Sequence, residues 1–254
     1  MNNYGITPNN KKEKIILFKK YQKRNTTAFL VALLLPFIVV SLFAFDIIKS
    51  RAVIGIEYGV ALLDAGNGSV GTSFRISETK MLTAKHVVQG LKAGDDVTVV
   101  FKKFEPPIET VAKVLFVPSE STPLKDYAVL ELLEIDKLEE VPILLLGVSE
   151  TVVQRDEVLA IGYPMNNSEN KITDGIITAN TFSLNDTEYD LFDTNCDVDN
   201  GNSGGPLLMK TSEEVIGIMI MVNEGNHSKA NLALKVDMVR SELLKVAPQI
   251  NLEE

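Results

Sequence analysis

The chain has 254 residues, of which 45% are hydrophobic, and 25 basic and 34 acidic residues give it a net charge of −9. A single cysteine rules out an intrachain disulfide framework. Two histidines and one cysteine form no ligand cluster, so we expect no metal and no cofactor. Residues 1–45 hold seven basic and one acidic residue, which leaves a net charge of −15 on the rest. This acidic remainder argues against nucleic acid as a partner.

Residues 28–45 (AFLVALLLPFIVVSLFAF) contain no charge over 18 positions, near the lower limit for a membrane-spanning helix. A cleaved signal peptide is the alternative. However, the polar and basic stretch over residues 1–27 is long for a signal peptide, and residues 42–44 make a poor cleavage site. The sequence therefore predicts a basic segment over 1–27 and a transmembrane signal-anchor helix over 28–45.

The charges around the apolar run predict its orientation. Only Lys49 and Arg51 follow it closely, whereas seven basic residues precede it: Lys11, Lys12, Lys14, Lys19, Lys20, Lys23 and Arg24. Positive charge is retained on the cytoplasmic side of a membrane. We therefore expect a single-pass protein with a cytoplasmic N-terminus and the remaining domain in the periplasm or outside the cell, in a bacterial envelope.

Short β-branched runs recur after the apolar segment, at residues 98–101, 110–116, 128–132, 158–161, 172–179 and 215–222. Their spacing favours a sandwich or barrel over alternating strands and helices. One helix is predicted over residues 237–246, with Asp237 as its cap and an apolar stripe made of Met238, Val239, Leu243, Leu244 and Val246. The sequence thus predicts an all-β domain with a C-terminal helix.

His86 is the candidate general base. It ends an apolar run in MLTAKHVVQG (residues 81–90), after an alternating strand in GTSFRIS (residues 71–77), so it lies in a loop at a strand end. The only other histidine, His227, lies in the polar stretch NEGNHSKAN, which is typical of a solvated hairpin tip. The candidate nucleophile, Ser203, is described below and needs a base of this kind. Of the two histidines, His86 is the better candidate.

Asp126 is the candidate that would orient this imidazole. It stands at the entrance of the alternating strand in LKDYAVLEL (residues 124–132). A carboxylate at such a position fixes the imidazole tautomer and offsets its developing charge. The rival carboxylates are interpreted mainly as solvated charges: Asp95, Asp96, Asp136, Asp193, Asp197 and Asp199.

Ser203 is the candidate nucleophile, in the stretch GNSGGPLL (residues 201–208). Glycines on both sides allow a loop that presents a serine beside backbone N–H donors, here those of Gly201 and Ser203. The alternative is an ordinary glycine-rich turn. Cys196 has no glycine-built donor pair beside it, so we interpret it as a small buried residue.

The chain order His86, Asp126, Ser203 resembles that of the trypsin-like, chymotrypsin-fold serine proteases, and within them the bacterial HtrA type. Subtilisins and α/β-hydrolases have other orders. Three motifs carry the resemblance: GTSFRIS with LTAKHVV, DYAVLEL, and TNCDVDNGNSGGPLL. It covers residues 52 to about 246 and implies two six-stranded antiparallel β-barrels in a protease domain over 52–247.

The chain also departs from this family. Lys85 stands where a small alanine is common, so a long charged side chain must leave the site without displacing the imidazole. Asn202 replaces the aspartate of digestive enzymes, as it does in the HtrA branch, so activation by a new N-terminus is not expected. Secreted animal relatives carry several disulfides, whereas this chain has only Cys196. Only 51 residues follow Ser203, so we expect no PDZ domain.

By the same resemblance, the specificity pocket is formed near residues 197–200 and 218–222. Its side chains include Val198, Met219, Ile220 and Met221, which would form an apolar slot for an aliphatic residue. Asp197 is the alternative determinant, because a buried carboxylate there would favour lysine or arginine.

The sequence therefore predicts a membrane-anchored serine endopeptidase that cleaves proteins or peptides through an acyl-enzyme, in envelope protein processing or quality control. The alternative is a catalytically inactive protease-fold module that binds partners at the membrane. An esterase or other acyl transferase with the same three residues is a further alternative.

Overall fold

Antiparallel strands build two β-barrels in this chain. The computed structural model describes residues 55–165, 169–184, 186–222 and 230–252. The predicted transmembrane helix over 28–45, its basic flank over 1–27 and His227 lie outside these residues. Within the described ranges, no helix is both long and apolar enough to cross a membrane.

The first barrel is closed and contains six strands in the order β1-β2-β3-β6-β5-β4. Their bounds are β1 Val60–Asp64, β2 Val70–Arg75, β3 Lys80–Thr83, β4 Asp96–Phe101, β5 Ile108–Phe116 and β6 Ala128–Leu132. In β4, alternate residues Val97, Val99 and Phe101 are buried while those between them are more exposed. This period of two directs one face of each strand into the barrel.

The second barrel is also closed, in the order β11-β14-β13-β12-β7-β8. Its strands are β7 Glu157–Gly162, β8 Lys171–Ala179, β11 Leu191–Thr194, β12 Pro206–Met209, β13 Val215–Val222 and β14 Ala230–Lys235; the pair β9 Phe182–Leu184 and β10 Thr187–Tyr189 forms a separate small sheet. Two closed six-stranded barrels confirm the predicted chymotrypsin-like architecture. The six strand runs predicted from β-branched residues are all present, and four of them extend one or two residues beyond their predicted ends.

Short 3-10 helices connect the strands. Those in the described residues are Glu57–Gly59, Lys85–Val88, Pro123–Lys125, Ile135–Leu138 and Ser149–Thr151. The connection between the barrels is held by Arg75, which is buried and donates to the carbonyl oxygens of Leu138 and Val141, each at 2.7 Å. Burial lowers the pKa of this guanidinium.

The C-terminal helix α1 spans Val236–Val246, one residue earlier than predicted. The predicted cap is wrong: Lys235 occupies the N-cap position, and Asp237 lies inside the first turn. The Asp237 carboxylate instead accepts hydrogen bonds from Ser149 Oγ and the Glu150 N–H, which tie the helix to the inter-barrel connection.

The predicted apolar stripe of α1 is only partly correct. Val236, Val239 and Leu243 are buried, whereas Leu244 and Val246 are exposed. Residues three and four apart share a helix face, and residue 244 lies about 100° away from residue 243 around the axis. The buried face therefore runs through positions 236, 239 and 243.

Candidate active site

His86 and Asp126 meet at the end of the pairing between β3 and β6. These strands are antiparallel, and Thr83 pairs with Ala128. The chain just after Thr83 therefore lies opposite the chain just before Ala128, which brings together His86 in the 3-10 helix Lys85–Val88 and Asp126 at the end of the 3-10 helix Pro123–Lys125.

Both oxygens of the Asp126 carboxylate bind the histidine residue. His86 Nδ1 lies 2.7 Å from Asp126 Oδ2, and the His86 backbone N–H donates to Asp126 Oδ1 at 2.9 Å. The side chains are 39% and 18% exposed. A carboxylate on Nδ1 holds the proton there, which leaves Nε2 unprotonated and able to accept a proton from a nucleophile.

The residue before Asp126 is anchored to helix α1, and the residue after it is buried. Lys125 Nζ lies 2.5 Å from Glu242 Oε1, and both side chains are largely shielded from solvent. Tyr127 is fully buried, and burial, together with the negative charge of Glu242, raises the pKa of its hydroxyl. Lys125 thus ties the segment that carries Asp126 to helix α1.

Lys85 leaves the imidazole unobstructed. Its Nζ donates to the carbonyl oxygen of Glu120 at 2.7 Å, in an exposed position. The long side chain that the sequence places next to His86 is therefore directed toward the loop around Glu120.

The loop that contains Ser203 belongs to the second barrel and is bound to β2 of the first. The Thr72 N–H donates to the Ser203 carbonyl oxygen at 2.8 Å, and Thr72 Oγ1 donates to the Gly201 carbonyl oxygen at 2.7 Å. A Cβ on Gly71 would lie 2.6 Å from Val87 and 2.9 Å from the Ser203 carbonyl oxygen. Ser203 therefore packs beside the segment that carries His86.

Two backbone N–H groups of the serine loop differ from their neighbours in their hydrogen bonding. Three others donate to backbone carbonyl oxygens at 2.8 to 3.0 Å, namely those of Asn202, Gly204 and Gly205. The N–H groups of Gly201 and Ser203 have no hydrogen-bond partner within the described residues. Gly201 has a φ of +100°, a conformation that glycine adopts without strain.

Ser203 and His86 are close in the fold without a direct hydrogen bond. Ser203 is buried, with 5% of its surface exposed. Among hydrogen bonds of the described residues, none joins Ser203 Oγ to His86 Nε2. Hydrogen bonds of this kind are often long in the absence of substrate and shorten when substrate binds.

The structure brings together part of the predicted pocket. Val198 and Met219 are buried in the same cluster inside the second barrel. Ile220 is not part of this group: its side chain is buried in the other cluster, because successive residues of β13 point to opposite faces. Met221 is paired with Asn231 of β14 through the backbone.

Asp197 lies at the surface. Its side chain is 81% exposed, and Oδ2 lies 2.6 Å from Lys171 Nζ at the start of β8. The hydrogen bond and the charge of Lys171 lower the pKa of Asp197. The carboxylate is thus paired with a lysine of the protein itself.

Two residues around the serine loop were missed at the level of sequence. Thr72 lies in the motif GTSF, whose pattern predicts only a strand, and Tyr163 directly follows β7. The Tyr163 N–H donates to Thr72 Oγ1 at 2.9 Å, and both residues are fully or almost fully buried. These two residues are 91 positions apart in the sequence, so only their contact in the folded structure identifies them. Cys196 is buried as expected, and burial raises the pKa of its thiol.

Comparison with known proteins agrees with this geometry. The family described as "Trypsin-like peptidase domain" matches residues 71–218, more than half of the chain. A relative named "Probable periplasmic serine endoprotease DegP-like", from Pseudomonas savastanoi pv. phaseolicola, is 33% identical over 174 residues, which cover 67% of this chain and 33% of the relative. The chain thus spans about a third of the length of such curated relatives.

Solved structures show the same fold. The HtrA-type protease AlgW with a tripeptide has a TM-score of 0.59 at 28% identity, covering 78% of this chain and 64% of AlgW. The inactive form of the Rv3671c protease has a TM-score of 0.62 at 23% identity, covering 78% of this chain and 93% of that protein. With its paired barrels, its His86–Asp126 pair and its serine loop, this chain belongs to the trypsin-like peptidase family, on the HtrA-like branch.

Proposed function

We propose that this chain is a serine endopeptidase in which Ser203 is the nucleophile, His86 the general base and acid, and Asp126 the residue that orients the imidazole. Ser203 Oγ attacks the scissile carbonyl carbon while its proton passes to His86 Nε2. His86 then gives this proton to the leaving amine, and an acyl-enzyme forms. A water molecule, deprotonated by the same imidazole, hydrolyses the ester and restores Ser203.

The observation that carries this proposal is the bidentate contact of Asp126 with His86, at 2.7 and 2.9 Å, beside a serine loop bound to the same barrel. The N–H groups of Gly201 and Ser203, which have no partner among the residues that the structure describes, are suited to hold the oxyanion of the tetrahedral intermediate. A structural role alone would not require a histidine fixed by its backbone and its ring on one carboxylate.

Labelling with a fluorophosphonate probe tests the proposal directly. The purified full-length protein should acquire one covalent adduct, which peptide mass spectrometry assigns to Ser203, because this probe reacts with an activated serine. Ser203→Ala should remain unlabelled. Intact, folded protein that never reacts would favour the alternative of a catalytically inactive binding module.

We further propose that the protease domain is anchored to the membrane by residues 28–45 and lies outside the cytoplasm. The uncharged run and the seven basic residues before it support this topology, and the DegP-like relatives are named as periplasmic. Such a location would suit the processing or quality control of envelope proteins.

A reporter fused after Glu254 measures the topology. Alkaline phosphatase, which folds only outside the cytoplasm, should be active at this position, whereas green fluorescent protein should be dark. As a control, the same reporters fused before Met1 should give the reverse pattern. Active phosphatase at the N-terminus with inactive phosphatase at the C-terminus would contradict the orientation.

For specificity, we propose that the apolar slot predicted from the sequence, with Val198 and Met219 in its wall, takes a medium aliphatic residue before the scissile bond. Burial of an aliphatic side chain stabilises by about 25 cal/mol per Å² of apolar surface. Asp197 supports this choice indirectly, because its carboxylate is exposed and paired with Lys171.

A peptide library measures the preference. We expect cleavage mainly after valine, leucine, alanine or methionine, and we expect Asp197→Asn to leave this pattern unchanged. Cleavage mainly after lysine or arginine that disappears in Asp197→Asn would assign the specificity to Asp197 instead.

A further inference from the structure

Each of four consecutive carbonyl groups in the serine loop accepts a hydrogen bond at 2.7 to 2.9 Å. The pairs, acceptor first, are Asn200 with the Met165 N–H, Gly201 with Thr72 Oγ1, Asn202 with the Gly205 N–H, and Ser203 with the Thr72 N–H. Two of the four donors belong to Thr72, and its hydroxyl is the only side chain among them. Thr72 lies on β2 in the first barrel, so it connects the loop to the barrel that carries His86 and Asp126.

These bonds fix the direction of the amides as well. In a planar trans peptide, the C=O and the N–H of the next residue point in opposite directions. The bond to the Asn200 carbonyl therefore orients the Gly201 N–H, and the bond to the Asn202 carbonyl orients the Ser203 N–H. The peptide between them, whose carbonyl belongs to Gly201, is held by the Thr72 hydroxyl.

The hydroxyl of Thr72 has a defined direction. Its oxygen accepts a hydrogen bond from the Tyr163 N–H at 2.9 Å, so its own proton is available for the Gly201 carbonyl oxygen at 2.7 Å. The side chain is fully buried, and solvent cannot replace either bond. The backbone of Gly201 does not by itself fix the orientation of this peptide, because glycine tolerates many backbone conformations.

We propose that Thr72 is a positioning residue of the oxyanion site: its hydroxyl locks the Gly201–Asn202 peptide so that the Gly201 and Ser203 N–H groups face the same carbonyl oxygen of the substrate. The proposal rests on the proposed function, and it extends that function to a residue of the other barrel. Thr72 touches no reacting atom and acts through the peptide that it holds.

The test compares three substitutions of Thr72 that differ in the donor they retain. Serine keeps the hydroxyl, cysteine keeps a weaker donor, and valine has the shape of threonine without a donor. In Thr72→Val, kcat for a peptide substrate should fall roughly 10- to 100-fold, because an imperfect oxyanion site loses stabilisation of the transition state. KM should change little, and the affinity for a peptide boronate, which forms a tetrahedral adduct, should fall in step with kcat.

Thr72→Ser should restore kcat, and Thr72→Cys should lie between serine and valine. The matched control is Thr110→Val, a buried threonine of the same barrel whose hydroxyl makes one long bond of 3.4 Å to Glu134; it should keep kcat. If Thr72→Val fails to fold, the kcat values of Thr72→Ser and Thr72→Cys still test the proposal, because the serine variant should be faster than the cysteine variant.

A second measurement does not depend on turnover. In NMR spectra, the amide chemical shifts of Gly201 and Ser203 should change in Thr72→Val and remain unchanged in Thr72→Ser and Thr110→Val. Unchanged resonances, a kcat equal to that of the parent, or a serine variant as impaired as the valine variant would overturn the proposal. Failure of the parent protein to react with fluorophosphonate would refute the proposed function, while these resonances would still decide the role of Thr72.

Discussion

Replacing Ser203 by alanine should lower the hydrolysis of casein by the purified protein roughly a thousandfold or more. The reason is that the hydroxyl forms the acyl-enzyme, and neither the imidazole nor the oxyanion donors can replace it. His86→Ala should cause a loss of similar size, because a serine hydroxyl without a base is a weak nucleophile. Asp126→Asn should also impair turnover, since an amide can stabilise the wrong imidazole tautomer.

The three residues should behave as one unit. Adding His86→Ala to Ser203→Ala should produce little further loss, because the second substitution removes a partner of a step that no longer occurs. The control is Asp197→Asn, which alters an exposed carboxylate and should leave the rate on this substrate unchanged. Casein hydrolysis that survives Ser203→Ala in pure protein would refute the proposed mechanism.

Replacing Gly204 by alanine should both destabilise the protein and abolish its reaction with fluorophosphonate. Gly204 has a φ of +85°, which costs a non-glycine residue about 1–2 kcal/mol. A Cβ at this position would also lie 2.2 Å from the Thr72 carbonyl oxygen and 2.3 Å from Thr83 Oγ1. These overlaps can be relieved only by moving the serine loop away from the first barrel, and Ser203 would move with it.

Urea unfolding measures the stability change, for which we expect a loss of more than about 3 kcal/mol. The matched control is Gly90→Ala, because Gly90 has a similar φ of +88° and nothing within 4 Å of an added Cβ. This control bears the backbone strain without the overlap, so it should lose only about 1–2 kcal/mol and keep its reactivity. Equal losses in the two variants would show that the close approach of the barrels at Gly204 is unimportant.

The sequence by itself determined the class of the fold and the residues of the candidate site. The β-branched runs, such as residues 110–116 and 215–222, are a local property of the sequence, and the two faces of each strand are fixed by its own backbone. The motif around Ser203 and the positions of His86 and Asp126 at strand ends are likewise readable along the chain. The predicted membrane helix over 28–45 depends on composition alone and stays a prediction.

Only the tertiary structure decided the contacts made between distant segments. The sequence predicts Asp237 as the cap of α1. In the structure, the Asp237 carboxylate accepts a hydrogen bond from Ser149, which is 88 residues away, and the helix begins one residue before Asp237. The family resemblance places Ile220 and Met219 in the same pocket wall, whereas the alternation of β13 puts their side chains in different buried clusters. The pairing of Asp197 with Lys171 and the role of Thr72 depend on which strands meet, and no local pattern encodes such meetings. Hydrogen bonds and packing form wherever the closed barrels bring partners within reach, so the candidate residues were visible in the sequence, whereas the groups that hold them became visible only in the fold.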